Sequence, residues 1–577
     1  MHRSFENKLK RLRPGFVIAV FLVLVSPNLL APFHADDYFQ QLLLRGDAML
    51  ERGDDGSLRG LFSFIEKDGS SRQQMQNYGV LPWFAAEDFY FRFWRPVAEL
   101  SHILDHWLLP GNAAWAHAHN ILWFLLLAAV VILLVRQTLP QDKLLLCLVL
   151  AVFLWNGQHV ATIHWIANRN ALIAAVLAFT ALSCHIRWRQ SGQWLWLPLA
   201  LLVFLSGLLA SESATALGVY LLAYALVLDN GRRWHNLLAI VPYALLALGW
   251  LYVYQSLGFG AGAAGGLYIN PLYQPLEYAQ ALLQRLPVYF AAALLPMPAG
   301  ISWAGGIAMP WLQVLVAGFS MVFMVVVLYS YRALLLGNRA LLFWFVAAVF
   351  AVLPVCTSLA QDRLALMQTV GMDIAIACVI YSLLLRQPAV MSLQLPLKQY
   401  LLSVLVVIHL LLAPLHLLAG SLYMSWATHE IKNRALTFAD NGSLQGRQLL
   451  VLSMPIGEAT SLLGIRRFYH YDIPDSFLWL ASDETALEVT KRDDKTLLIE
   501  KRAGFGSGFE SAFGDMSGRM QQGQLLAVAT GKISIEALNS KAYPSHIMLH
   551  LHSPLSDNKL LMYSYDAPSA SLKPVDW

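Results

Sequence analysis

Two aspartates stand side by side in His34-Ala35-Asp36-Asp37-Tyr38. Adjacent carboxylates can hold a divalent cation such as Mg²⁺ or Mn²⁺ through oxygen ligands. Alternatively, one of them can take a proton from a hydroxyl as a general base. The plain alternative is a polar stop where the chain leaves a membrane. Other polar groups recur at similar boundaries: Phe93-Trp94-Arg95-Pro96-Val97, then Glu99, His102, Asp105 and His106. Gly111-Asn112 and His117-Ala-His119-Asn120 follow. Next are a segment running from His159 through Trp165 to Arg169, then Ser211-Glu212-Ser213, and Asp362-Arg363 ahead of Gly371. An arginine fork can grip two phosphate oxygens, or it can snorkel to lipid headgroups. Arg169 lies inside the start of an apolar run, where a charge usually faces a protein cavity. His102 and His106, at i and i+4, suit a metal shared with Glu99 or Asp105, or one face of a surface-lying amphipathic helix. Trp83, Trp94, Trp107 and Trp115 suit interfacial anchoring.

These residues need a scaffold, and the composition names its class. Of 577 residues 57% are hydrophobic and 13% charged, against about 25% charged in soluble proteins, and mean hydropathy is +0.52. That excludes a soluble enzyme, a disordered chain and a collagen-like fibre. A net charge of +4 without a basic cluster among aromatics gives no reason to expect nucleic acid. The four cysteines (Cys147, Cys184, Cys356, Cys378) all lie in apolar stretches, so neither a disulfide framework nor a zinc site can be built from them.

A helix needs about 20 apolar residues to cross a bilayer. Eleven segments qualify as crossings: 15–33, 118–136, 143–158, 165–186, 194–210, 213–229, 236–256, 311–331, 340–357, 364–385 and 399–421. Arg3, Lys8, Lys10, Arg11 and Arg13 precede the first, which places the N-terminus in the cytoplasm; a cleaved signal peptide is the competing reading. Segment 279–298 would reverse every later basic cluster if it crossed. It therefore reads as re-entrant or interfacial, interrupted by Arg285, Pro287 and Pro296. The expected fold is a polytopic α-helical membrane domain over 1–424, with long outer loops 34–117 and 257–310. A soluble β-rich domain over 425–577 follows on the same outer side. Its strand-like runs are Gln448–Met454, Thr496–Lys501, Leu525–Thr530 and His546–His552. Gly260-Ala-Gly262-Ala-Ala-Gly265 matches a dinucleotide fingerprint by letter, but no strand is expected before it, so it reads as a flexible loop or a lid.

In their order, these motifs resemble the GT-C membrane glycosyltransferases, in particular the branch of protein O-mannosyltransferases and transmembrane–tetratricopeptide proteins, though no tetratricopeptide array is present. The resemblance covers residues 20–385 and is best over 34–230. It implies that Asp36 and Asp37 are the acidic pair and Arg95 the loop arginine. His117 and Asn120 match the second-span mouth, His159 and Arg169 the next segment, Glu212 the turn, and Asp362-Arg363 the late acidic–arginine pair. The chain departs from the pattern at Ala161, Ser211, Leu364, Leu366 and Gln368. The function implied is transfer of a sugar from a polyprenyl-phosphate donor to a protein, lipid or glycan acceptor at the outer face of a membrane, with the bacterial inner membrane as the expected setting. Asp36 would be the base, with Asp37 as orienter or cation ligand, and Arg95, Arg363 and Arg169 would hold the donor phosphate. The rival readings are a transporter or flippase of lipid-linked sugars and a non-catalytic envelope assembly protein.

Overall fold

The computed structural model describes residues 13–47, 58–69, 71–262, 268–302, 309–385, 395–438, 443–482 and 487–575. Arg3, Lys8, Lys10, Arg11 and Gly265 lie outside them. The chain divides into two compact units. One comprises Met1–Ala31, Arg95–Val253 and Ile269–Trp426; the other comprises Pro32–Trp94, Tyr254–Tyr268 and Ala427–Trp577.

The first unit is helical. Among the described residues, seven helices are long and apolar enough to cross a membrane. A bent pair, Lys143–Leu154 with Gly157–His164, makes an eighth candidate, and three shorter apolar helices (Pro14–Leu30, Trp196–Leu208, Glu212–Leu228) fill the remaining expected positions. All eleven expected segments are therefore helical, but three fall short of a full crossing length. Local chemistry sets the helix ends. Asn112 Oδ1 accepts from Trp115 N–H at 2.9 Å to start the helix Ala113–Thr138. Asp142 and Asn338 cap Lys143–Leu154 and Arg339–Phe350 in the same way. Leu366–Leu384 is buried on almost every face, whereas much of Pro310–Gly337 is exposed apolar surface, as a lipid-facing helix would be.

The expected interruption of 279–298 is corrected. Pro275–Leu294 is one helix that runs through both Arg285 and Pro287 and ends before Pro296. Arg285 Nη1 donates to the carbonyls of Cys356 (2.8 Å) and Ser358 (2.9 Å), which gives a charge in an apolar helix its partners.

Among the described residues, the second unit contains three sheets. Strands β1 (Ser63–Ile65), β2 (Tyr90–Arg92) and β3 (Gly260–Gly262) form an antiparallel sheet in that order. The glycine-rich segment expected as a flexible loop thus begins as a strand. A Cβ on Gly262 would meet the Tyr90 ring at 2.0 Å, so the glycine is needed for close approach. The tail supplies β4 (Gln448–Ser453), β5 (Ser476–Ala481), β6 (Glu488–Asp493), β7 (Thr496–Glu500), β8 (Leu525–Val528), β9 (Gly531–Leu538), β10 (Pro544–Leu551), β11 (Leu560–Asp566) and β12 (Ser571–Pro574). Strands β6-β7-β10-β9-β8 pair antiparallel; β12-β11-β4-β5 is mixed, with β4 parallel to both neighbours. The helix Ile456–Phe468 connects β4 to β5, so the tail is a mixed α/β fold rather than strands alone.

The first loop is built into this tail. Trp479 Nε1 donates to Gly79 O (2.8 Å), Trp83 Nε1 to Leu480 O (3.0 Å), and Ala86 N to Phe513 O (2.9 Å). Trp83, expected as an interfacial anchor, is instead 6% exposed and packs edge-on against Phe84 and Phe505.

Candidate functional site

Asp36 opens the helix Asp36–Leu44 in the second unit. Two carboxylates in a first turn complement the partial positive charge there. Asp37 is buried, and its Oδ2 accepts from His34 N–H at 2.8 Å, while Asp36 is partly exposed. Ala35, between His34 and Asp36, adopts φ +43°, ψ −114°, a region an L side chain rarely enters. Such backbone strain collects where side-chain placement matters for function. Tyr38 fixes the helix from below, edge-on to Phe33 and Phe468.

Among the described residues, no three His, Cys, Asp or Glu side chains converge as metal ligands. This holds for Glu99, His102, Asp105 and His106 too. A Mg²⁺ or Mn²⁺ at Asp36 and Asp37 would need phosphate or water oxygens to complete its shell.

The remaining candidates belong to the first unit, where segments distant in sequence meet. Arg95 Nε and Nη2 donate to Glu212 Oε2 at 3.0 and 2.7 Å. With its amide turned to suit its neighbours, Asn170 accepts from Arg95 Nη1 at 3.1 Å. Ser211, one of the positions where the chain departs from the pattern, caps the short turn Glu212–Ala216 by accepting from Ser213 N–H.

Arg169 is fully buried. Its Nε donates to Asn120 Oδ1 (2.5 Å), Nη1 to Asp105 Oδ2 (2.5 Å) and Ser101 Oγ (3.2 Å), and Nη2 to Ala116 O (2.9 Å). Those acceptors make it an internal strut of the helical unit. Asn120 also donates to Ile163 O (3.2 Å) and Trp165 O (3.3 Å). Burial pushes the Asp105 carboxyl up, but the His119 hydrogen bond at 2.6 Å and the Arg169 charge outweigh it, and the group sits below the usual carboxylate range. Burial, then Arg169, pushes His102 down to about 3, so it is neutral.

Arg363 lies over the Trp165 ring at 4.3 Å, and its Nε donates to Gln361 Oε1 at 2.7 Å. Asp362 Oδ1 accepts from Ala299 N–H at 2.9 Å, and burial raises its carboxyl to about 6. His117 packs near the His164 ring (5.1 Å), and His164 Nδ1 meets Asn28 Oδ1 at 2.7 Å. His159 lies beside the Phe124 and Phe153 rings, with Nε2 3.5 Å from Asp373 Oδ2.

Asp373 is the residue the sequence reading missed. It is fully buried and also accepts from Asn156 Nδ2 at 2.9 Å. Its signal was available: it is the single acidic residue in the apolar run Leu366–Leu384.

No family model matches the chain, and no curated protein matches it significantly. Among solved structures, the chain is similar to ArnT from Cupriavidus metallidurans bound to undecaprenyl phosphate, at 12% identity and a TM-score of 0.38 over 83% of this chain and 96% of that one. It is similar to the apo state of the same protein at the same identity and score, over 80% and 89%. To the arabinofuranosyltransferase AftD from Mycobacteria it shows 14% identity and a TM-score of 0.30, over 76% of this chain and 30% of that one.

Proposed function

We propose that this chain is a GT-C-type membrane glycosyltransferase that moves a sugar from a polyprenyl-phosphate carrier to an acceptor at the outer face of the membrane. The observation that carries this reading is the pairwise meeting of motif residues: Arg95 with Glu212 across 117 residues of chain, and Asn120 with Arg169 across 49. Residues chosen for their order along the sequence would have no reason to meet if each were an independent membrane-boundary polar group.

The chemistry follows from the donor. The bond from the anomeric carbon to phosphate oxygen breaks as the acceptor oxygen attacks, and the acceptor gives up its proton. In this reading Asp36 takes that proton, and Asp37 orients the turn or, with Asp36, holds a Mg²⁺ or Mn²⁺. Arg363, steadied by Trp165 and Gln361, is the preferred partner of the departing phosphate, whose charge grows as the bond breaks. Arg95 is a weaker one, because Glu212 already offsets its charge. The second unit is proposed to hold the acceptor. A cavity of about 390 Å³ there, lined by Phe438, Tyr563 and the Arg434–Glu458 pair (2.6 Å), is of small-ligand size.

The transporter reading gains one observation. Asp373 lies near the middle of its helix against His159, as a coupling-ion or proton pathway would require. Purified protein in proteoliposomes, given radiolabelled polyprenyl-phosphate sugars and a panel of lipid, glycan and peptide acceptors, separates the two. Label on any acceptor supports transfer. Label crossing proteoliposomes without reaching an acceptor supports transport.

A further inference from the structure

The span Lys143–Leu154 breaks at Trp155 and Asn156 and resumes, bent by 45°, as Gly157–His164. Breaks of this kind have an identifiable cause, yet no proline lies here. Asn156 turns the chain by accepting from Gln158 N–H at 3.0 Å through Oδ1, while its Nδ2 donates to Asp373 Oδ1. Three residues on, His159 Nε2 faces Asp373 Oδ2 at 3.5 Å, and neither atom has another hydrogen-bond partner among the described residues. One buried carboxylate therefore holds both the break residue Asn156 and His159 in the segment that follows it. The segment bearing His416 and Gly420 packs closely there too: a Cβ on Gly157 would meet the His416 ring at 2.5 Å, and one on Gly420 would meet Val160 at 2.6 Å.

What leaves the bent segment is Trp165, and its ring carries Arg363. Arg363 immediately precedes Leu366–Leu384, the helix that bears Asp373. Asp373, the break, Trp165 and Arg363 thus form a closed mechanical loop that begins and ends on one helix. A buried carboxylate is costly unless paired and hydrogen-bonded, and the loop gives it a use.

We infer that Asp373 is a positioning residue: it fixes the break at 155–159 so that Trp165 presents Arg363 in the orientation a phosphate needs. It touches no reacting atom in this scheme, and its catalytic consequence rests on the glycosyltransferase reading.

Hydrogen–deuterium exchange of the full-length protein in nanodiscs tests the clamp without any substrate. Asp373→Leu should raise exchange of amides 156–166 by about tenfold, the worth of a lost hydrogen bond, and leave the second unit unchanged. Asp373→Asn still accepts from Asn156 and should stay near wild type. If Asp373→Leu fails to fold, Asn156→Ala removes one arm alone and should raise exchange in the same window. Unchanged exchange at 156–166 in folded Asp373→Leu and Asn156→Ala overturns the clamp. With donor assayed, Asp373→Leu and Asn156→Ala should raise KM for the lipid-phosphate sugar about tenfold with kcat largely kept, and Gly157→Ala should do the same by displacing His416. Raised exchange with unchanged donor KM overturns the link to Arg363. Raised exchange in a protein that transfers no sugar at all leaves the clamp standing and removes the glycosyltransferase reading instead.

Discussion

Arg95 directs two of its N–H groups at a single oxygen of Glu212, so the loop after the first span is tied to the turn ahead of the helix Leu217–Ala223. Both side chains are partly exposed, at 16% and 30%, which keeps the net worth of the pair modest. Arg95→Ala and Glu212→Gln should each lower stability. The double variant should lose less than the sum, with a coupling of about 1 kcal/mol. Thermal unfolding of the four proteins in one detergent measures it; strict additivity would mean that the two groups do not sense each other.

The two adjacent aspartates should behave differently. Asp36→Asn keeps shape but removes the proton acceptor, and transfer should drop by about 10²- to 10⁴-fold with folding intact. Asp37→Ala loses the bond to His34 N–H beside the strained Ala35, and should cost about 1 kcal/mol of stability. Chelation should slow transfer only if the pair holds a cation. Near-normal turnover by well-folded Asp36→Asn would remove it as the base.

Asp362 makes stability depend on pH. Its folded pKa near 6 lies above the unfolded value of about 3.9, so folding favours the protonated form. That stabilisation is fully present below about pH 4 and is lost as pH rises through about 6. Asp362→Asn keeps an acceptor for Ala299 N–H and cannot ionise. Between pH 4 and pH 7 the wild type should lose about 1 to 3 kcal/mol relative to this variant. Parallel melting curves would exclude the assignment.

Within the second unit, Lys501 and Glu510 form an ion pair at 2.5 Å, with side chains 2% and 0% exposed. Glu510 also accepts from Ser482 N–H (2.6 Å) and Gly506 N–H (2.7 Å). Lys501→Met leaves the carboxylate buried without its counter-charge and should cost about 3 to 5 kcal/mol; adding Glu510→Gln should recover part of that. Denaturant titration of the full chain, followed at the tail by a site-specific label, reports both values.

The sequence revealed helices where apolar length and basic flanks agree, and strands where apolar residues alternate between turn signals. Periodicity describes one element at a time, so it could say nothing of Arg169 finding Asp105, or of Asp373 finding His159. Arg169 shows the limit well. Its place inside a span argued correctly for burial, but the opposing charge came from a helix 64 residues earlier that read as a surface feature. Trp83 was misread for a related reason: an exposed interfacial tryptophan and a core tryptophan share one local pattern, and only β5 distinguishes them.

The interleaving of residues 32–94 with the tail has a consequence for biosynthesis. Residue 94 leaves the ribosome some 330 residues ahead of Ala427. At about 5–20 residues per second, that is a wait of roughly 15 to 70 s. Trp83 and Phe84, both buried in the finished protein, must pass that interval without Phe505 and Trp479 to cover them. Maturation of this chain should therefore depend on a holding chaperone that is released only once Trp479 and Phe505 have emerged.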